Sequence, residues 1–296
     1  MRKTVIALGF FDGIHLGHAA LLRRTSDVAT AIGAEPAMLT FDTHPDELIG
    51  DVVIPLLTSQ EERAAIVQEE FGIRTMISLR FDEELRNMEW EAFADRLIAD
   101  FGASHFVVGH DFRFGRSAYG NSAKLMAHCA RLGIGCDVIP AVTLDGITVS
   151  STYIRALLID GQAERAVRFI GRPHRLTDTV RFGYRLGRTI GAPTINMKFE
   201  PGVLIPKHGV YASRLRIEDD PSTYFAATNI GRRLTVADTS DVTVESFILD
   251  FDRIVYGKRV TLEFLRFLRP ELKFDSLDAL KAQIAADVDA VRLAAV

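Results

Sequence analysis

The sequence predicts an α/β first half built on a parallel sheet, followed by a mostly antiparallel β-barrel half with a C-terminal helix. In the first half, short apolar runs with the length of buried strands alternate with segments of helical periodicity. After residue 170 the pattern changes to alternating runs separated by Gly, Pro, Asp and Asn, which is typical of an antiparallel sheet or small barrel. Apolar residues make up 48% of the 296 residues, enough for both halves to bury a core.

Five strands are predicted in the first half, with helical segments between most of them. The strands are residues 5–8, 37–41, 75–79, 105–108 and 137–139. Such alternation favours a parallel sheet with right-handed crossovers, the Rossmann-like arrangement. The clearest helical pattern carries large apolar residues that we interpret as core: Trp90, Phe93, Leu97, Ile98 and Phe101.

The second half begins where the helical pattern of residues 163–170 ends at Gly171, so we predict domains 1–170 and 171–296. Four alternating runs follow and are predicted to be strands: residues 210–217, 224–227, 242–251 and 260–268. A final amphipathic helix carries Leu277, Leu280, Ile284 and Val288. We expect this helix to pack on the barrel wall.

Charge and composition narrow the function classes. The net charge of −4 offers no basic footprint for nucleic acid. No apolar run reaches the ~18 residues of a membrane span. Met1 leads directly into a strand without a signal peptide, and Cys129 and Cys136 do not form a metal-type pair. We therefore expect a cytoplasmic protein that binds neither nucleic acid nor membrane.

The first loop carries Gly-Phe-Phe-Asp-Gly-Ile-His-Leu-Gly-His at residues 9–18. It runs from the end of a predicted strand to the start of a helix, where free backbone N–H groups and the helix dipole attract phosphate. Its glycines would let the main chain approach a bulky anion, and His15 and His18 can face the same phosphate. The alternative is two ordinary surface histidines in a glycine-rich turn.

Three further loops follow strand ends, at residues 40–45, 108–115 and 149–155. The third contains three adjacent hydroxyl residues, Ser150, Ser151 and Thr152, at a helix start. They can simply cap that helix. With Arg155 one turn inside, the same segment can instead hold a polyphosphate. The presence of the first loop favours the phosphate interpretation.

The second half has one chemically distinctive segment, Gly-Tyr-Arg-Leu-Gly-Arg-Thr-Ile-Gly-Ala-Pro-Thr-Ile-Asn at residues 183–196. Its glycines and arginines can form a flexible cationic loop over a nucleotide. Thr194 and Asn196 alternate on one strand face, so both oxygens can reach one Mg²⁺. The alternative is a turn followed by a half-exposed strand.

The first loop resembles the His-x-Gly-His signature of nucleotidylyltransferases. Together with Phe-Asp-x-His-Pro, Gly-x-Asp-Phe-x-Phe-Gly and Ser-Ser-Thr-x-Ile-Arg, it resembles the N-terminal module of bacterial bifunctional FAD synthetases. The resemblance implies AMP transfer from ATP to FMN, with His15, His18 and Arg155 as catalytic residues. It implies ATP contacts at Gly9, Phe10, Phe11, Asp12, Gly17, His18, Ser150, Ser151, Thr152 and Arg155. It implies flavin contacts at His44, Asp111, Phe112 and Arg113.

Residues 183–196 resemble the Gly-Arg-x-x-Gly-x-Pro-Thr-x-Asn motif of riboflavin kinase, the C-terminal module of the same enzymes. Residues 209–212, 229–231 and 244–251 agree with that family. The resemblance implies ATP contacts at Gly187, Arg188, Gly191, Thr194 and Asn196, Mg²⁺ at Thr194 and Asn196, and Glu245 as base. A base is required because the nucleophile is a neutral hydroxyl, with a pKa near that of water, roughly 15–16. An FMN phosphate is already anionic and needs none.

Several positions depart from the family pattern, namely Ala192, Ile195, Leu234 and Phe247, and none removes a proposed catalytic group. Arg269 and Glu271 match an Arg-x-Glu near the family's C-terminus, with a structural or flavin-side role. The sequence predicts conversion of riboflavin to FMN and of FMN to FAD, with ATP, riboflavin and FMN as small-molecule partners. The alternatives are an adenylyltransferase with a weakly active kinase domain, or a flavin carrier without turnover. A tRNA-linked synthetase is disfavoured by the charge.

Overall fold

The structure, a computed structural model, describes residues 3–44, 53–182, 193–232 and 242–294. Internal packing divides the chain into two units, residues 1–151 and 152–296. Each unit has its own hydrophobic core. None of the helices in these ranges has the length and apolar composition that crossing a membrane requires.

The first unit alternates strands and helices as the sequence predicts. In chain order its elements are β1 (Thr4–Leu8), α1 (Leu16–Ile32), β2 (Glu35–Phe41), α2 (Gln60–Phe71), β3 (Thr75–Leu79), α3 (Glu83–Asn87), α4 (Trp90–Phe101), β4 (Ala103–Gly109), β5 (Arg113–Phe114), β6 (Gly120–Asn121), α5 (Ser122–Leu132), β7 (Gly135–Ile139), β8 (Thr143–Leu144) and β9 (Ile147–Thr148). The five predicted strands form one parallel sheet in the order β3-β2-β1-β4-β7. The parallel Rossmann-like prediction is confirmed.

The strand order fixes where a ligand site can form. Successive strands run outward from β1 to β3, and the chain then returns to place β4 on the other side of β1. Open α/β sheets bind ligands at such a switch point, beyond the carboxyl ends of the strands. The loops after β1 and β4 are the first loop and the segment 110–112. Both belong to the predicted ATP and flavin sites.

The second unit contains α6 and α7 followed by a curled antiparallel sheet. Its elements are α6 (Ser151–Asp160), α7 (Ala163–Ile170), β10 (His174–Thr179), β11 (Thr194–Met197), β12 (Gly209–Ile217), β13 (Thr223–Arg232), β14 (Val242–Ile248), β15 (Arg259–Arg269) and α8 (Leu277–Ala294). The first residue of α6 packs with the first unit. The strand order is β10-β15-β12-β13-β14-β11. The sheet curls so that its two edges, at β10 and β11, approach each other. They meet at an isolated bridge, where the Arg181 N–H donates to the Asn196 carbonyl at 2.9 Å. The predicted barrel is therefore present as a half-barrel.

The sheet of the second unit has an inner and an outer face. The inner face carries the core, including Tyr211, Val244 and Phe264. The prediction that α8 packs on the barrel wall is confirmed, since Val291 is fully buried against the outer face. Leu277 does not take part, because it is 63% exposed, and the apolar contacts of α8 lie in its last turns.

Candidate active sites

The first loop is held in an unusual backbone shape by buried polar contacts. Phe11 is fully buried and adopts the left-handed conformation, with φ of 59° and ψ of 33°. The Asp12 carboxylate is buried, and its Oδ1 accepts hydrogen bonds from the Leu57 and Thr58 N–H groups at 2.8 and 3.3 Å. The Ser151 hydroxyl donates to the Asp12 carbonyl at 3.0 Å. The loop is thus tied to the segment before α2 and to the start of α6.

The two histidines of the loop lie together at the N-terminus of α1. Their rings stack with centroids 3.7 Å apart and planes 13° apart. The His18 N–H donates to His15 Nδ1 at 3.3 Å, so the His15 side chain also caps the helix. A Cβ on Gly17 would lie 3.1 Å from the His15 ring, so the stacked arrangement leaves little room for a side chain at position 17. Two imidazoles at the N-terminus of a helix form a site suited to phosphate.

Phe10 connects the first loop with the segment that contains His44. The edge of one ring faces the other, with centroids 4.5 Å apart. Phe10 also contacts Arg63, whose guanidinium carbon lies 4.7 Å from the centroid of the Phe10 ring. The predicted ATP loop and one predicted flavin residue are therefore in direct contact.

The hydroxyl loop lies where the two units join in sequence. Ser150 and Ser151 belong to the first unit, and Thr152 begins the second. Arg155 lies one turn along α6, with its side chain partly buried. Ser151 donates to Asp12 rather than only capping its own helix, so one of the three hydroxyls contacts the first loop directly.

A cavity of about 510 Å³ opens beside the loop that follows β4. Phe112 and Arg113, two of the four predicted flavin residues, line it, and Phe112 stacks on Phe114 with centroids 5.0 Å apart. His44 and Asp111 lie outside its described lining. Five phenylalanines contribute to the wall: Phe41, Phe81, Phe93, Phe112 and Phe114. An aromatic wall of this kind suits a flat aromatic ligand.

Sequence reasoning missed part of this lining. Phe93 was assigned only to the core, although it serves both the core and the cavity. Phe81 lies in the connection after β3 and Arg86 lies in α3, and their spacing carries no motif. Phe41 ends β2 and is the first residue of the Phe-Asp-x-His-Pro motif at residues 41–45, from which only His44 was selected as a site residue.

In the second unit, strand register brings the predicted kinase residues together. Asn196 on β11 lies directly opposite Glu245 on β14. Asn229 on β13 lies opposite Glu245 on its other side. Directly opposite residues of antiparallel strands have Cβ atoms about 4.5–5.5 Å apart. Thr194 lies two residues before Asn196 and therefore on the same face, as predicted. This is the outer face of the sheet.

Asn229 was not predicted as a site residue, although its motif was noticed. Its amide donates to the Glu271 carboxylate at 3.4 Å, which brings a second acidic group near Glu245. Arg269 forms two bonds to the buried Asp287, at 2.8 and 2.7 Å, and so ties β15 to α8. Of the Arg-x-Glu pair, Arg269 therefore joins two elements of the fold, while Glu271 contacts the Asn229 amide.

Gly187, Arg188 and Gly191 lie outside the described residues. Within the ranges that the structure describes, no group of three or more His, Cys, Asp or Glu side chains is arranged to hold a metal ion. Thr194 and Asn196 would supply a hydroxyl and an amide oxygen. These are hard ligands that fit Mg²⁺ when nucleotide phosphates complete its coordination.

Comparison with known families assigns a different model to each half of the chain. A FAD synthetase model matches residues 1–153, and a riboflavin kinase model matches residues 170–294. The two matches follow each other in the order of the two candidate sites. Residues 154–169, which form most of α6 and α7, lie between them.

Similar proteins match over nearly the whole chain. Bifunctional riboflavin kinase/FMN adenylyltransferases of Listeria monocytogenes and Pseudomonas fluorescens are each 34% identical to it. The alignments cover 96% and 98% of this chain, and 90% and 93% of those proteins. A crystal structure described as a macrolide-efflux protein from Streptococcus pneumoniae is 28% identical, with a TM-score of 0.88. That likeness covers 98% of this chain and 94% of the other.

Proposed function

Because the chain belongs to the bifunctional riboflavin kinase/FMN adenylyltransferase family, we propose that it makes FAD in two ATP-dependent steps. The second unit phosphorylates riboflavin to FMN. The first unit then transfers AMP from ATP to FMN and releases pyrophosphate. The observation that carries this proposal is the match of both family models, in order, on one chain whose relatives carry both activities in their names.

In the adenylyl transfer, an FMN phosphate oxygen attacks the α-phosphorus of ATP. This nucleophile is already an anion, so the protein must align the reactants and stabilise charge on the phosphate oxygens. The stacked His15 and His18 supply imidazole donors at the N-terminus of α1. The remaining ATP contacts are the main chain of residues 9–12, Gly17, and the loop from Ser150 to Arg155.

The flavin ring is proposed to enter the cavity lined by Phe112 and Arg113. Phenylalanine faces cover the tricyclic ring, while Arg86 and Arg113 offer donors to its carbonyl-rich edge. His44 and Asp111 lie outside the described lining, and we assign them to the ribityl phosphate end of FMN. The contact of His44 with Phe10 supports this assignment, since Phe10 belongs to the ATP loop.

In the kinase step, Glu245 accepts the proton of the ribityl hydroxyl as that oxygen attacks the γ-phosphorus of ATP, and ADP leaves as the bond between the γ-phosphorus and the bridging oxygen breaks. The register that sets Glu245 opposite Asn196 supports this role, because base and nucleotide must meet at the reacting phosphate. Thr194 and Asn196 would hold Mg²⁺, which neutralises phosphate charge when bound. Gly187, Arg188 and Gly191 are proposed to cover the nucleotide.

We place the functional boundary at residue 170. The loop from Ser150 to Arg155 serves the first activity, and the riboflavin kinase match begins at residue 170. The reactions are assigned to the cytoplasm, in agreement with the free thiols of Cys129 and Cys136. A carrier without turnover is not favoured, since it has no need of His15, His18, Arg155, Thr194, Asn196 and Glu245 together.

The test is a time course with purified protein, riboflavin, ATP and Mg²⁺, with flavins separated by chromatography. We expect FMN to appear first and FAD to follow. FAD from added FMN, without any product from riboflavin, would leave only the adenylyltransferase. Bound flavin without either product would contradict the proposal and support the carrier.

A further inference from the structure

Arg63 on α2 is a fully buried cation that neither proposed reaction uses. Its Nη1 donates to the Phe10 carbonyl and to the Thr40 hydroxyl, each at 2.8 Å. Its Nε and Nη2 have no hydrogen-bond partner among the described residues. Removing a guanidinium from water costs several kcal/mol, and a well-packed apolar side chain is often as stable at such a position. Stability alone therefore does not explain this residue.

The electrostatic surroundings of Arg63 are equally specific. Burial lowers its pKa, and the nearby Asp12 opposes that shift. Asp12 is itself only 2% exposed, and its carboxylate accepts hydrogen bonds from Leu57 and Thr58. The first loop thus carries one buried charge, Asp12, and contacts a second buried charge of opposite sign, Arg63. Asp12 binds the segment before α2, and Arg63 belongs to α2.

The contacts of Arg63 converge on Phe10, the residue at which the chain leaves β1. The Thr40 hydroxyl also donates to the Phe10 carbonyl at 2.8 Å, so that one oxygen receives two hydrogen bonds. The guanidinium lies 4.7 Å from the Phe10 ring centroid, and His44 contacts the same ring. Both the main chain and the side chain of Phe10 are therefore fixed.

The next residues explain why such fixation is needed. Phe11 and Ile14 have positive φ angles of 59° and 43°, although neither is glycine. Each such conformation costs about 1–3 kcal/mol and persists only when the surroundings enforce it. His15 follows directly, so a loop that relaxed at Phe11 would carry both histidines away from their stacked arrangement.

We propose that Arg63 is a positioning residue for adenylyl transfer: it holds Phe10 so that the strained loop presents His15 and His18 to the phosphates. The inference rests on the proposed function of the first unit. It predicts that loss of Arg63 lowers turnover more than substrate binding. Misplacement of reacting groups by about 1 Å can cost roughly 100-fold in rate.

The test uses Arg63→Met, which removes the charge, and Arg63→Lys, which retains a donor for the Phe10 carbonyl. Arg23→Met is the matched control, because the exposed Arg23 also lies over an aromatic ring, that of Phe71. The full chain is assayed for FAD formation from FMN and, separately, for FMN formation from riboflavin. Trp90 is the single tryptophan and lies in the first unit, so its fluorescence reports unfolding of that unit.

For Arg63→Met we expect kcat for FAD formation to fall at least tenfold, with smaller changes in KM. The rate of FMN formation should be unchanged, and the unfolding midpoint should be no lower than that of the wild type. Arg63→Lys should recover part of kcat, and Arg23→Met should match wild type. A wild-type kcat in Arg63→Met, or a loss that follows a lowered unfolding midpoint, would overturn the inference. Failure of the wild-type protein to make FAD would instead contradict the proposed function.

Discussion

The two units assemble their candidate sites by different means. In the first unit, two histidines within one short loop stack at the start of α1, and the strand ends bring neighbouring loops to them. In the second unit, Asn196 and Glu245 come from sequence-distant strands and meet only through antiparallel register. The first site depends on loop shape, and the second depends on the pairing of a whole sheet.

This difference determines how each site can fail. A loop can change its conformation while the sheet beneath it stays intact, so the first site is sensitive to local backbone strain. A slip of one residue in β14 would turn Glu245 to the inner face and Val244 to the outer face. The kinase residues are therefore protected by the core that fixes the register.

Glu245→Gln tests the independence of the second site. The variant keeps the shape of the side chain but cannot accept the hydroxyl proton, so FMN formation should fall by roughly 10²- to 10⁴-fold. FAD formation from added FMN should stay at the wild-type rate. Chromatographic assays of FMN formation and of FAD formation measure the two rates. Glu200→Gln is the matched control, because Glu200 lies on an exposed loop. Loss of both activities in a folded variant would contradict independent sites.

His18→Ala is the reciprocal test on the first site. Removal of one donor from developing phosphate charge should lower FAD formation by roughly 10²- to 10³-fold. Because the second unit has its own core, FMN formation should be unaffected. The same two assays compare the rates, and Trp90 fluorescence verifies that the first unit is folded. If the rate of FMN formation fell by the same factor as that of FAD formation, the two sites would not be independent.

Gly115→Ala tests how closely the cavity wall packs on the first core. Gly115 has a φ of +72°, and a Cβ there would lie 2.7 Å from the Trp90 Cα. With a ψ of 179°, this backbone conformation is essentially restricted to glycine and costs an alanine about 1–3 kcal/mol, and the overpacking costs a further 1–3 kcal/mol. Urea unfolding followed by Trp90 fluorescence measures the loss.

Gly33→Ala is the control for Gly115→Ala, since Gly33 also has a positive φ, of +64°, but adopts the left-handed helical conformation and has open space around it. It should lose only about 1–2 kcal/mol, the cost of that backbone conformation. Equal losses in the two variants would mean that contact with Trp90 does not constrain the cavity wall. KM for FMN should rise in Gly115→Ala alone, because Gly115 lines the cavity.

The sequence predicts the features that depend on local signals better than those that depend on contacts between distant segments. The five parallel strands and the His15–His18 loop were predictable because their signals are local: apolar runs, glycines and helix starts. The cavity was only partly predictable, because Phe81 and Phe93 reach it through tertiary packing. The partners of Arg63 and the pairing of Asn229 with Glu245 depend on contacts between distant segments. Neither leaves a pattern in the sequence.

The second unit should also differ from the first in its response to acid. His174 starts β10, is 5% exposed and packs with Phe199 and Phe264 in a cluster of three rings whose centroids lie 6.0–6.4 Å apart. Burial, followed by repulsion from Arg172, lowers its pKa from 6.5 to about 4. Between these values the unfolded chain binds a proton that the folded unit does not, so stability falls as pH drops from 6.5 to 4.

At pH 4 this difference in proton binding lowers the free energy of unfolding of the second unit by about 3 kcal/mol relative to its value at neutral pH. His174→Phe keeps an aromatic ring in contact with Phe199 and Phe264 and removes the titration, so this contribution should disappear. Urea unfolding at pH 7 and pH 4 measures it, with circular dichroism reporting both units and Trp90 fluorescence only the first. The fluorescence transition should respond to pH equally in wild type and variant. If the second transition also kept its wild-type pH dependence in His174→Phe, acid sensitivity would have to arise from other groups of the barrel.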